Sequence, residues 1–181
     1  KEEGRGGEGR GRGRGRRSER KGTRNGTAAT RQARPGDTVG DAVRGNGRGE
    51  VKRGCEQGTC GSCVVLVGDL PQYACLLFAA SFEGLEITTS EALDRPGVGE
   101  EPHPIVKAFV DEAGVQCGYC VPGMILSTKA LIERNPTPSE GDAKRALDGH
   151  LCRCTGYVKQ IKAVLRAAEI MRADDTGEVS R

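Results

Sequence analysis

The sequence predicts an α+β protein whose first half is rich in short strands and whose second half is all helical. Three observations predict it. Between Val64 and Leu77, apolar runs are broken by Gly68-Asp69, a hairpin turn signal. From Pro104 onward the apolar residues recur at helical spacing. The chain's eight cysteines divide into two groups of four, one in each half.

Composition narrows the possibilities. Of 181 residues only 3% are aromatic and none is Trp, so the core is not built on large rings. No apolar run approaches the roughly 18–20 residues that span a membrane, and no secretory signal is visible. A cytoplasmic, non-membrane protein is expected. Residues 1–24 hold ten Lys/Arg and four Glu, a net of +6 against +3 for the whole chain, which leaves −3 elsewhere. A mildly acidic body argues against a nucleic-acid groove.

Residues 1–24 contain eight Gly and nothing apolar, and run through Gly9-Arg10-Gly11-Arg12-Gly13-Arg14-Gly15-Arg16-Arg17. Such a segment lacks the apolar surface to offset its ordering entropy, so a disordered leader is expected. Gly4-x-Gly6-x-x-Gly9 fits a dinucleotide fingerprint, but no strand precedes it. Arg16-Arg17 lacks the hydrophobic stretch of an export signal. A solvated tail is a simpler reading of the Arg-Gly run than an RNA-binding one.

Pro35-Gly36-Asp37 reads as a turn, with Asp37 capping a short helix through Val39, Ala42 and Val43. Then follows Gly54-Cys55-Glu56-Gln57-Gly58-Thr59-Cys60-Gly61-Ser62-Cys63, a strand Val64–Val67, and a second strand from Gln72 to Leu77 carrying Cys75. C-x4-C-x2-C is the plant-type [2Fe–2S] spacing. Three thiolates on one loop reach around a compact cluster only if the loop curls, and Gly54, Gly58 and Gly61 permit the curl. The hairpin returns Cys75 to the loop. Zinc prefers two short paired knuckles, and disulfides need an oxidising compartment, so iron–sulfur is favoured over both.

Ile105, Val106, Phe109 and Val110 line one face of a helix ending near Gly114. Gln116-Cys117-Gly118-Tyr119-Cys120 follows, and Pro122 opens a second helix that Asn135-Pro136 stops. Thr137-Pro138-Ser139-Glu140 reads as a capping box for a third helix to about Leu147. Leu151-Cys152-Arg153-Cys154-Thr155-Gly156 leads to a fourth, starting near Tyr157, with the stripe Val158, Ile161, Leu165 and Ala168 and with Val164 and Met171 beside it. Cysteine pairs at helix N-termini favour thiolates. By ligand count iron or zinc fits this group equally well; the close C-x-C pair leans toward a cluster. His103 and His150 read as surface or capping groups, since four Cys already complete each site.

Taken together, Gly54–Cys63, Gln116–Met124 and Leu151–Tyr157 resemble the small iron–sulfur subunit of the molybdenum hydroxylases, the xanthine dehydrogenase/aldehyde oxidoreductase/carbon monoxide dehydrogenase family. The resemblance covers about residues 34–173. It implies a β-grasp, plant-type ferredoxin-like domain over residues 25–98, then a four-helix domain over 99–173 and a flexible tail over 174–181. It implies one [2Fe–2S] cluster on Cys55, Cys60, Cys63 and Cys75, and a second on Cys117, Cys120, Cys152 and Cys154. Gln116 and Cys154 would lie near the pterin of a partner.

The implied partners are a large molybdopterin-binding subunit and a medium FAD-binding subunit, as a dimer of heterotrimers. The implied role is to relay electrons from the molybdenum–pterin site to FAD or another acceptor. A free-standing ferredoxin and a zinc-stabilised module with an RNA-binding tail are the alternatives. The family also opens with an apolar strand, a hairpin and a second strand. Asn25-Gly26 suits the turn, but Arg20-Lys21-Gly22-Thr23-Arg24 has no apolar side chain, and Arg48 stands where the family tends to be apolar.

Overall fold

The computed structural model describes residues 18–94 and 101–176. The expected boundary at 98/99, most of the leader and the end of the tail lie outside the described residues. The architecture is α+β. Strands β1 (Ser18–Arg24), β2 (Thr27–Ala33), β3 (Val64–Val67), β4 (Leu70–Tyr73) and β5 (Glu86–Thr88) form one sheet in the order β2-β1-β5-β3-β4. Helices α1 (Val39–Gly45) and α2 (Glu91–Asp94) accompany it. Helices α3 (Pro104–Asp111), α4 (Val121–Arg134), α5 (Glu140–Leu147) and α6 (Val158–Thr176) make the second half. Among the described residues, no helix is long and apolar enough to cross a membrane.

Ser18–Arg24, expected within the disordered leader, is a strand. It pairs with β2 along its whole length, from Ser18 opposite Ala33 to Arg24 opposite Thr27. The turn is Asn25-Gly26, both at positive φ (52° and 73°), as a two-residue hairpin turn requires. β1 also runs parallel to β5, with Thr23 opposite Glu86. The Asn25 amide locks the turn, accepting from the Thr89 N–H at 2.9 Å and donating to Thr89 Oγ1 at 3.2 Å. A strand held by backbone bonds needs no apolar side chains, which is why composition hid it.

Several boundaries move for local reasons. α1 is capped by Thr38, whose hydroxyl takes the Asp41 N–H while Asp41 takes the Thr38 N–H. Asp37 instead accepts from the Arg34 N–H at 2.8 Å and closes the preceding turn. α5 is capped by Ser139 with Asp142, two residues later than Thr137. Strand β4 ends at Tyr73 because Leu76 N–H turns back to the Tyr73 carbonyl, so Cys75 lies in a turn. The buried face of α6 is Gln160, Ala163, Val164, Ala167 and Ala168; of the expected stripe Ala168 lies on it, Ile161 and Leu165 pack partly buried at its edge and Val158 is exposed, so the face is rotated by part of a turn. Helix α6 also runs on to Thr176, past the expected start of the tail at 174. Arg48 is accommodated by an ion pair with Glu91.

Two cores share strand β3. Val65 joins Val39, Val43, Val51, Ala74 and Ile87 between the sheet and α1. Val64 and Leu66, facing the other way, join Ile105, Phe109, Met124, Leu126 and Val164 among the helices. Leu66 is 2% exposed. Leu66→Ala is expected to cost about 2–5 kcal/mol. Because its side chain stands in the helical core while its backbone belongs to the sheet, both halves should unfold in one earlier transition. Denaturant melts read by circular dichroism and by limited proteolysis test this; two separated transitions would contradict it.

Candidate metal centres

The first centre is built on the loop between α1 and β3. Cys55, Cys60 and Cys63 lie on it, and the β3–β4 hairpin returns Cys75 as expected. Cys60 interacts with Cys55 and with Cys63, and Cys63 with Cys75, so the four thiols form one connected group. The loop turns its amides onto the sulfurs: Thr59 N–H reaches Cys55 Sγ at 3.3 Å and Gln57 N–H at 3.5 Å. Cys60 Sγ lies 3.1 Å from Ser62 Oγ. The curl is tight enough that a Cβ on Gly54 would stand 2.6 Å from Cys60 Sγ. A cavity of about 290 Å³ opens beside Cys63 and Cys75; its charged lining is mixed, with Arg44, Lys52 and Arg53 alongside Asp41 and Glu56, and Arg53 is paired with both carboxylates.

The second centre draws on two loops. Cys117 and Cys120 lie before α4, where Cys120 is the N-cap residue. Cys152 and Cys154 lie ahead of α6 but not in its first turn, contrary to the helix-terminus expectation for that pair. Cys117 interacts with Cys154 and Cys152, and Cys120 with Cys152, which closes the second group of four. Cys152 Sγ accepts from Thr155 N–H at 3.4 Å, Cys154 N–H at 3.5 Å and Gln160 Nε2 at 3.4 Å. All eight cysteines are free thiols.

Hydrogen bonding and burial pull the thiols apart. Cys55 falls to about 6 through the Thr59 hydroxyl and the Gln57 and Thr59 amides. Cys152 is opposed by partial burial, yet the Thr155 hydroxyl and the surrounding N–H groups bring it to about 6. Burial pushes Cys63 and Cys120 up to about 12. Among the described residues, no three Cys, His, Asp or Glu side chains converge as one metal ion would need. A two-iron core takes two thiolates on each iron, so its four ligands need not meet at one point. The donor set of four thiols with inward-turned N–H groups fits such a core.

Three residues that the sequence reading missed or misread support the centres. Gln160 is fully buried and holds Cys152, and it also accepts from Thr155 Oγ1. Its signal was a lone polar residue on the buried face of α6. Tyr119, between Cys117 and Cys120, donates its hydroxyl to the Arg53 carbonyl beside the first loop. His150, expected at the surface or as a cap, is 5% exposed and lies 2.8 Å from Ser127 Oγ through Nε2. Burial lowers it to about 4, against a smaller pull from the Gly61 carbonyl, so the ring is neutral near pH 7. His103 does cap, accepting the Ile105 N–H at the start of α3.

Residues 23–79 match the family model described as a 2Fe-2S iron-sulfur cluster binding domain, and residues 89–165 match a [2Fe-2S] binding domain. One of the subunits of nicotinate dehydrogenase from Pseudomonas putida is 43% identical over 67% of this chain and 75% of its own length. The small FeS subunit of nicotinate dehydrogenase from Eubacterium barkeri is 38% identical over 80% of this chain and 91% of its own. Quinoline 2-oxidoreductase from Pseudomonas putida 86 contains a chain that superposes with a TM-score of 0.81 at 34% identity, over 91% of this chain and 99% of that one. The chain belongs to the [2Fe–2S] small-subunit family of the molybdenum hydroxylases.

As a member of that family it is an electron-transfer subunit of an oxidoreductase, it binds two [2Fe–2S] clusters, and it works with larger partner subunits. In metal-free protein, alkylation mapped by mass spectrometry should separate its thiols. Cys55 and Cys152, with pKa values of about 6, are thiolates above that pH and should react at pH 7, and slow as the pH falls below 6. Cys63 and Cys120, at about 12, should stay protonated and inert. Equal labelling of all four would contradict the assigned hydrogen bonds.

Proposed function

We propose that Cys55, Cys60, Cys63 and Cys75 hold one [2Fe–2S] cluster and that Cys117, Cys120, Cys152 and Cys154 hold the other. The observation that carries this is the division of eight free thiols into two connected groups, each with its own backbone N–H donors. Each cluster, when bound, takes up and gives back one electron. The chain's residues do the rest. Thr59, Gln57, Thr155 and Gln160 direct N–H groups at the sulfurs and set how much negative charge they tolerate.

The two domains are a ferredoxin-like domain, begun by β1 and extending to about residue 98, and a four-helix domain from about 99 through α6. The chain relays electrons from a molybdenum–pterin site in a large subunit, through the second centre and then the first, to FAD in a medium subunit. Gln116 and Cys117 are exposed beside the second centre, which suits Gln116 and Cys154 meeting the pterin-bearing partner. The assembly is a dimer of such heterotrimers. A cytoplasmic compartment, where thiols stay reduced, suits eight free cysteines.

Cys60→Ser and Cys152→Ser test the assignment in the purified complex. Each should remove one of two [2Fe–2S] EPR signals and about half the iron, leaving the other signal in place. Loss of both signals from either change, or zinc in place of iron, would overturn it.

A further inference from the structure

Most N–H donors to the cysteine sulfurs come from the cysteine loops themselves: Gln57 and Thr59 at Cys55, Cys154 and Thr155 at Cys152. Gln160 is different. It stands in the first turn of α6, and its side-chain Nε2 reaches Cys152 Sγ at 3.4 Å. Among the described residues it is the one side-chain N–H group that bonds a cysteine sulfur.

Burial and anchorage set this donor apart. Gln160 is 0% exposed, whereas Gln57 and Thr59 are exposed. Water replaces a donor lost from an exposed loop, but not one lost from a sealed site. The low dielectric there also strengthens the N–H dipole's effect. Ala163 and Val164, the next turn of α6, are fully buried among the helices, so the amide is carried by the helix and not by the loop.

The amide's orientation is fixed as well. A buried amide without partners is costly, so both ends must be satisfied. Thr155 Oγ1 donates to Gln160 Oε1, which turns the nitrogen end to Cys152. The reverse placement would set a carbonyl oxygen against an electron-rich sulfur. Thr155 Oγ1 also lies 3.2 Å from Cys152 Sγ, but its one proton must divide between that sulfur and the Gln160 oxygen. Among the described residues the Gln160 N–H has no acceptor but Cys152.

We propose that Gln160 is a positioning residue that raises the reduction potential of the second centre through its N–H···S bond to Cys152. The proposal rests on the reading that Cys117, Cys120, Cys152 and Cys154 hold a [2Fe–2S] cluster. An added electron increases the negative charge on the ligand sulfurs. A donor aimed at one of them stabilises the reduced form more than the oxidised one. No bond breaks and no proton moves. Among the described residues the first centre has no counterpart to this donor, so the effect falls on the second alone.

The test is an EPR-monitored potentiometric titration of the native complex, which reads each [2Fe–2S] signal separately; the signal lost in Cys152→Ser is that of the second centre. Gln160→Leu removes the N–H. Val164→Ala, on the same buried face, loosens the packing and keeps the amide. In Gln160→Leu the ratio of reduced to oxidised second centre at a fixed solution potential is expected to fall roughly tenfold, which is about 59 mV toward lower potential for one electron. The first signal should titrate as in the parent, and in Val164→Ala both should.

If Gln160→Leu loses the second signal, Gln160→Met, unbranched like the parent side chain, replaces it and should give the same shift. An unshifted second signal in whichever variant retains it would overturn the proposal. So would an equal shift in Val164→Ala, or a shift of both signals together, either of which would assign the effect to packing. Loss of the second signal in both Gln160 variants would overturn it too, since Gln160 would then be needed to hold the cluster. A parent complex with fewer than two [2Fe–2S] signals would instead overturn the two-cluster reading, and the proposal with it.

Discussion

Val65 packs under α1 while Val64 and Leu66, its neighbours on the same strand, pack among α3, α4 and α6. Alternation along a strand sends successive side chains to opposite faces, so a strand buried on both faces must have a core on each. β3 follows directly from Cys63, and Cys63 is itself buried in the first core. The end of the first cysteine loop is therefore fixed to the one strand that both halves need. The relation between the two centres depends on this shared strand. Beside it, the hydrogen bonds from Leu151 N–H to the Cys60 carbonyl and from Tyr119 to the Arg53 carbonyl, and the packing of Gly61 against His150 and Gly123, also join the halves.

Each centre repeats the same electrostatic compromise. One thiol in each, Cys55 and Cys152, is turned toward N–H donors and ionises readily. Another, Cys63 and Cys120, is buried and holds its proton. Desolvation penalises a bare thiolate, and a metal removes that penalty by supplying positive charge. A metal held by these thiols would therefore bind with release of protons from the buried pair.

Much of this was legible in the residues. The cysteine spacings, the Asn25-Gly26 and Gly68-Asp69 turns and the succession of helices after Pro104 are all local signals, and each stands where it was read. What escaped was non-local. β1 carries no apolar side chain and is secured by β2, β5 and Thr89, partners up to 64 residues away. β5 is three residues long and exists because β1 and β3 flank it. The rotated face of α6 has the same origin. Ala163, Ala167 and Ala168 are small enough for close approach to α3, so the larger Val158 is left outside. His150 could not be placed from sequence because its socket is made by Gly61 and Gly123, 89 and 27 positions away.

That socket explains why rigidity is concentrated where it is. Electron transfer between fixed sites gains nothing from large motions, and it suffers when the separation or the contact between the sites fluctuates. Small residues are what allow a close, stiff contact. At Gly61 and Gly123 the backbone of one centre's loop meets both a buried ring and a helix at distances that no Cβ would permit. Burial holds the His150 ring well below the usual histidine range, so in this fold it packs as a neutral ring. The junction thus fixes geometry with a packed ring and two glycines, while each loop turns its own N–H groups onto its own sulfurs.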